Sequence, residues 1–210
     1  MKLLNFNRVL CLSPHPDDVE YSLSGTVIKY QDTHFDLLTM STGGDFEGAE
    51  GSKRLNEVKE FWNVTKVNNI SVIIDDKLKS KNNSQDKLIF NIESKYLKDY
   101  HDAIFVPTHI DSHFEHRLVN ELADPLTRCK GISVVEYRTP STLNDWTPNM
   151  YIDITDQFED KINMLSKFNS QKDKWYFKTQ LVEHFHADYQ SYKKGYKYVE
   201  QYKIKQLYRI

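Results

Sequence analysis

Residues 15–20 read His-Pro-Asp-Asp-Val-Glu, with a second proline, Pro14, just before the histidine. Asp17 and Asp18 are adjacent like charges. His15 and a carboxylate are both donors that zinc takes, and a bound cation would relieve the repulsion between the two aspartates. A plainer reading is that one aspartate caps the helix that follows while the other is solvated. A zinc site needs a further protein ligand at the same place. Residues 108–117, THIDSHFEHR, offer one, with His109, Asp111, His113, Glu115 and His116 packed into eight positions.

Two local geometries compete for this second stretch. An extended segment would put His109, Asp111 and His113 on one face. A helix beginning at Ser112 would make His113 and His116 i, i+3 neighbours. Ser112-x-x-Glu115 ahead of Leu118, Val119 and Leu122 is a capping-box pattern, so the helix is expected, and Glu115 acquires a structural reading as the N3 partner. His116 alone could be a satisfied interior histidine. Three of the chain's eight histidines crowded together argue against that.

Both stretches must be carried by elements that bring them to one place. Residues 8–13, 35–41, 70–74, 102–107 and 131–138 are short apolar runs that read as strands. Residues 18–30, 52–62, 84–99 and 113–123 have helical spacing, as with Leu88, Ile92 and Tyr96. This alternation predicts parallel pairing through right-handed crossovers, a doubly wound α/β sheet with helices on both faces. Ligands of such sheets collect outside the carboxyl ends of the strands. His15 follows the run 8–13 and His109 follows 102–107, so the two stretches are expected on one rim. Ile162, Leu165 and Phe168 mark a helix near 156–169, and an aromatic, Lys-rich segment follows. With no repeat or linker, a single domain over 1–210 with a C-terminal extension is expected.

Composition narrows the partners. A 210-residue chain with 39% hydrophobic and 28% charged residues is globular and on the polar side. A net charge of −2 leaves no basic excess for a nucleic acid. The opening MKLLNFNRVLCL lacks the apolar run of a signal peptide, and no stretch reaches membrane-spanning length. Two cysteines, Cys11 and Cys129, cannot form a disulfide framework, so a cytoplasmic location is expected.

His15-Pro16-Asp17-Asp18-Val19-Glu20 resembles the HPDD signature of the PIG-L/LmbE-like zinc-dependent N-deacetylases, and His113-Phe114-Glu115-His116 resembles that family's second motif. The similarity runs on through Thr42-Gly43-Gly44, Arg54-x-x-Glu57, residues 139–155 and Ser170-Gln171. It implies a Rossmann-like fold, one zinc ion, and removal of an N-acetyl group from a small glucosamine-type sugar or its conjugate. It further implies zinc on His15, Asp18 and His116, with Asp17 as general base and proton donor, His113 as oxyanion stabiliser, and Arg54 on the substrate. The chemistry is consistent: three protein ligands leave a position for water, and an imidazolium at His113 would neutralise an oxyanion. A non-catalytic sugar- or metal-binding member, or an amidase for a non-sugar N-acyl compound, are the alternatives.

Two positions depart from the pattern. Glu115 stands where the family usually has Asp, and Asp111 where some members place Tyr, so both are assigned to substrate contact or to orienting His113. The segment 41–48, STGGDFEG, lacks the order of a phosphate-binding loop and is expected to be a rim loop. Trp175, Tyr176, Phe177, Phe185 and Tyr189 are expected in the core or in a homo-oligomer contact rather than on substrate. His184 and His186 are lesser pocket candidates, and Lys193, Lys194 and Lys197 read as a solvated face.

Overall fold

Val9, Leu10, Cys11 and Leu12 are all fully buried, which requires the strand that carries them to be covered on both faces. That strand, β1 (Arg8–Ser13), lies inside a seven-stranded sheet of order β3-β2-β1-β4-β5-β7-β6. The other strands are β2 (His34–Thr39), β3 (Ile70–Ile74), β4 (Ala103–Pro107), β5 (Ser133–Tyr137), β6 (Met150–Asp153) and β7 (Val199–Gln206). The computed structural model describes residues 1–42, 51–65, 67–79, 82–190 and 192–208.

The first five strands pair in parallel, and at one edge β7 pairs antiparallel with both β5 and β6. Strand periodicity sorts side chains onto two faces. Val9, Cys11 and Phe105 join one core with Val19 and Leu23 of α1 (Asp18–Lys29), Val58 and Phe61 of α2 (Gly51–Asn63), Phe158 of α6 (Phe158–Leu165) and Val182 of α7 (Thr179–His186). Leu10, Leu12 and Ile104 join the other, with Leu88 and Ile92 of α3 (Gln85–Lys95), Val119 of α4 (Phe114–Glu121) and Leu126 of α5 (Ala123–Thr127). Helices therefore cover both faces, as the alternation predicts. Among the described residues, no helix is long and apolar enough to cross a membrane.

The chain winds outward from β1 through β2 to β3, then returns to place β4 on β1's other side. The point between β1 and β4 is the topological switch point, where the loops separate and leave a crevice. Residues 14–18 leave β1 and residues 108–116 leave β4 at that crevice.

Several local expectations are revised. The expected helix over 113–123 is two short helices, α4 and α5, and the one near 156–169 is α6 alone, after a turn of 3-10 helix at Thr155–Gln157. The Ser112/Glu115 capping box does not form. Ser112 Oγ donates to Ser141 O at 3.0 Å, and Glu115 turns toward His15. A reciprocal cap of that kind stands at α1 instead, where Glu20 Oε2 accepts the Asp17 backbone N–H at 3.1 Å. The C-terminal segment is part of the sheet, because β7 is inserted between β5 and β6.

Strand β7 hides in the sequence because a charge points inward. Glu200 is fully buried and accepts bonds from Gly25 N, Thr26 N and Lys161 Nζ at 2.8, 2.7 and 2.6 Å. Removing one member of a buried ion pair leaves an uncompensated charge. Lys161→Ala should therefore destabilise the fold by about 3–5 kcal/mol in urea unfolding; a loss under about 1 kcal/mol, typical of an exposed pair, would refute this account.

Candidate active site

Asp17 sits at the amino end of α1 with φ of +117°, a conformation few non-glycine residues adopt. Such strain persists only where the surroundings over-determine it, and here they do. Its N–H is held by Glu20, whose other oxygen accepts Trp62 Nε1 at 2.9 Å. Arg54 of α2 places one Nη2 at 2.9 Å from Asp17 Oδ1 and 2.6 Å from Pro16 O. Asp17 Oδ2 is buried and has no partner among the described residues, an uncommon condition for a buried oxygen. Asp17 lines a cavity of about 690 Å³ together with Asp18, His15, His113, Glu115 and His116.

Three imidazoles converge in that cavity. Ring centroids are 4.6 Å apart for His15–His113, 4.7 Å for His113–His116 and 5.5 Å for His15–His116. One nitrogen from each lies within 4.8 Å of the others, a spacing that a metal ion could bridge. Asp18 is closer still. Its Oδ2 is 3.1 Å from His15 Nδ1 and accepts the His15 N–H at 2.8 Å, and its Oδ1 is 3.3 Å from His116 Nε2. Those are the separations of donors that share one ion about 2 Å from each. His15, Asp18 and His116 thus suit zinc, and His113 is a fourth donor beside them.

Electrostatics reinforce the fit. Burial disfavours a charged His15, yet Asp18 and Glu115 overcome it and raise its pKa to about 9. His116 is likewise held at about 10 against burial by Asp18 and Asp111. Burial also opposes ionisation of Asp18, but His116 and His15 hold its carboxyl well below the usual range. The carboxylates therefore demand positive charge here, which a divalent ion can supply in place of protons. Asp17 goes the other way: burial raises its pKa, Arg54 opposes, and Asp18 adds to the rise. Glu20 is raised by burial to about 7.

The fates of the remaining expected residues differ. His113 lines the cavity, but burial, His15 and His116 lower its pKa. That favours the neutral ring, a hydrogen-bond donor, over the expected imidazolium. Arg54 reaches the cavity wall, yet its guanidinium engages Asp17 and Pro16, so it steadies the aspartate. Asp111 is 1% exposed and committed to the protein, taking the His113 N–H at 2.7 Å, Thr139 Oγ1 at 2.5 Å and His116 Nδ1 at 3.0 Å. It stands behind His116 and is not among the residues that line the cavity.

His109 is turned away to Glu136 at 2.9 Å, so the extended-face geometry is not adopted. Buried His186 packs on Tyr21 and Phe158 and bonds Val199 O, and exposed His184 lines no part of the cavity. Of the rim loop, Ser41 lines the cavity and bonds Pro14 O at 2.8 Å, while residues 43–50 lie outside the described residues. Lys174, Trp175 and Tyr176 also form cavity wall, although the aromatic tail reads as core in the sequence. Phe177 and Phe185 do pack on the core. The tail reaches the rim because Glu57 of α2 binds Ser170 through N and Oγ at 2.9 and 2.5 Å, and Tyr21 OH donates to Tyr176 O at 3.0 Å. Nothing local in the tail announces that return.

A family model described as PIG-L: GlcNAc-PI de-N-acetylase matches residues 10–126. No curated protein matches the sequence. Among solved structures, N,N'-diacetylchitobiose deacetylase from Pyrococcus horikoshii is similar with TM-score 0.70 at 21% identity, over 96% of this chain and 85% of that one. The conserved protein TT1542 from Thermus thermophilus is similar with TM-score 0.71 at 17% identity, over 96% of each chain. GalB, the 4-carboxy-2-hydroxymuconate hydratase from Pseudomonas putida KT2440, has TM-score 0.71 at 16% identity, over 100% of this chain and 98% of that one. At these identities the likeness is one of fold, and it spans deacetylase and hydratase alike.

Proposed function

The chain belongs to the PIG-L family, GlcNAc-PI de-N-acetylase, and from that premise we propose that it is a zinc-dependent hydrolase removing an N-acetyl group from an amino sugar or its glycoside or nucleotide conjugate. The observation that carries this reading is the placement of Asp17. One of its oxygens is held by Arg54, the other is buried without a partner among the described residues, and the residue lines the cavity with Asp18, His15 and His116. A carboxylate there, beside the candidate ligands, is placed to accept a proton from an attacking water.

His15, Asp18 and His116 would hold the zinc. When bound, zinc lowers the pKa of water to about 7 and polarises the amide carbonyl. Asp17 takes the proton from the water and then returns it to the departing nitrogen. His113 donates an N–H to the oxygen that gains charge. Arg54 keeps Asp17 ionised and fixed before the proton arrives. Cys11 and Cys129 are both free thiols, as a reducing cytoplasm would leave them.

Metal content and acetate release test the reading together. The zinc-replete protein should hold one zinc per chain and release acetate from one or more members of a panel of N-acetylglucosamine conjugates. Chelation should abolish release and zinc should restore it. A folded, zinc-replete preparation without bound zinc would sink the proposal.

A further inference from the structure

His15 and His116 each have two ring nitrogens, and all four meet carboxylates. One nitrogen of each converges on Asp18, His15 Nδ1 at 3.1 Å and His116 Nε2 at 3.3 Å. The other nitrogen of each points to a different carboxylate, His15 Nε2 to Glu115 Oε2 at 2.6 Å and His116 Nδ1 to Asp111 Oδ2 at 3.0 Å. A neutral imidazole has one N–H and one lone pair, and the partner of the N–H decides which nitrogen is left for a metal. Histidine ligands commonly give their other N–H to a carboxylate, which fixes both tautomer and ring orientation.

We propose that Glu115 is a positioning residue for His15: it holds the Nε2–H and so leaves Nδ1 facing the metal, rather than contacting substrate. The inference rests on the zinc reading above. Glu115 comes from the first turn of α4, one hundred positions beyond His15, so the pair ties the loop after β1 to the loop after β4. Both side chains are largely buried, 12% and 16% exposed, where a charge-assisted hydrogen bond is strong. Side-chain length matters as well. An aspartate at 115 would have a carboxylate one methylene shorter and would fall short of a nitrogen now at 2.6 Å. The glutamate that departs from the family's usual aspartate is thus matched to His15 in this chain.

The competing arrangement has Glu115 itself on the metal, with His15 binding through Nε2. Long-range ¹⁵N–¹H NMR of histidine-labelled, zinc-loaded wild-type protein separates the two directly. Nε2 of His15 should carry the proton and Nδ1 should show the metal-bound shift; the reverse overturns the proposal. Glu115→Gln and Glu115→Asp should both raise the zinc Kd, measured by chelator competition, by about 10–100-fold. KM at saturating zinc should move by less than about twofold, because uniform substrate binding is not what the residue supplies. An unchanged zinc Kd with a raised KM in both variants would overturn the proposal and return Glu115 to substrate contact. A wild-type chain that takes up no zinc would instead overturn the zinc reading, and this inference with it.

Discussion

Asp17→Asn should leave a folded, zinc-binding protein whose kcat is about 10²–10⁴-fold lower, the contribution of a positioned general base. The substitution keeps shape and removes only the ability to take a proton. The Asn oxygen can still accept from Arg54 where Oδ1 now does at 2.9 Å. The left-handed backbone at φ +117° should also survive, since Asn is among the few residues enriched at positive φ. Burial raises the Asp17 pKa, with Arg54 opposing, and this fixes the sign of the stability effect. A carboxyl whose folded pKa lies above its unfolded value loses stability as pH rises from the unfolded value through the folded one. The amide carries no such cost. The urea midpoint of the variant should therefore equal or exceed that of wild type, while acetate release falls. A kcat within about fivefold of wild type would remove Asp17 from the chemistry, since that is less than positioned general bases supply.

How much of this was legible depends on how local the cause is. The run Val9–Leu12 announces a doubly covered strand by itself. Pro14 and Pro16 rule out helix or ladder at the turn, and so place His15 at a strand end. Alternation places both histidine stretches on the carboxyl edge of the sheet, and the strand order that sets β1 beside β4 makes them meet. Where the cause is distant, the sequence misleads. Ser112-x-x-Glu115 has a valid capping pattern, yet Glu115 answers to a histidine one hundred positions away. Arg54 reads as a substrate cation, and no local signal gives its bond to Asp17 at 2.9 Å. His113 reads as an imidazolium, whereas burial and the neighbouring His15 and His116 lower its pKa, and neither cause is local in the sequence. Glu200 breaks the alternation of β7 because its partner, Lys161, comes from another element. The wall formed by Lys174 and Trp175 depends on the Glu57–Ser170 clasp and is equally non-local.

Asp18→Asn should remove zinc and activity together, which separates it from Asp17→Asn even though the two residues are neighbours. Asp18 Oδ2 is committed to the His15 N–H at 2.8 Å. An asparagine must keep its oxygen there, because turning the amide would set an NH₂ against that donor. Its NH₂ then takes the place of Oδ1, 3.3 Å from His116 Nε2, and an amide nitrogen is no ligand for zinc. The backbone bond that fixes the turn survives, so the loop stays folded while the metal site loses a donor and a negative charge. Replacing even an outer partner of a ligand weakens metal binding by about 10–100-fold, so loss of a ligand should exceed that. The metal is worth several kcal/mol of transition-state stabilisation, so kcat should fall by about 10³-fold or more at trace zinc. Raising zinc should recover part of the activity of Asp18→Asn and none of that of Asp17→Asn. If Asp18→Asn bound zinc as tightly as wild type, the ion would sit on the three imidazoles of His15, His113 and His116, and His113 would move from oxyanion donor to ligand.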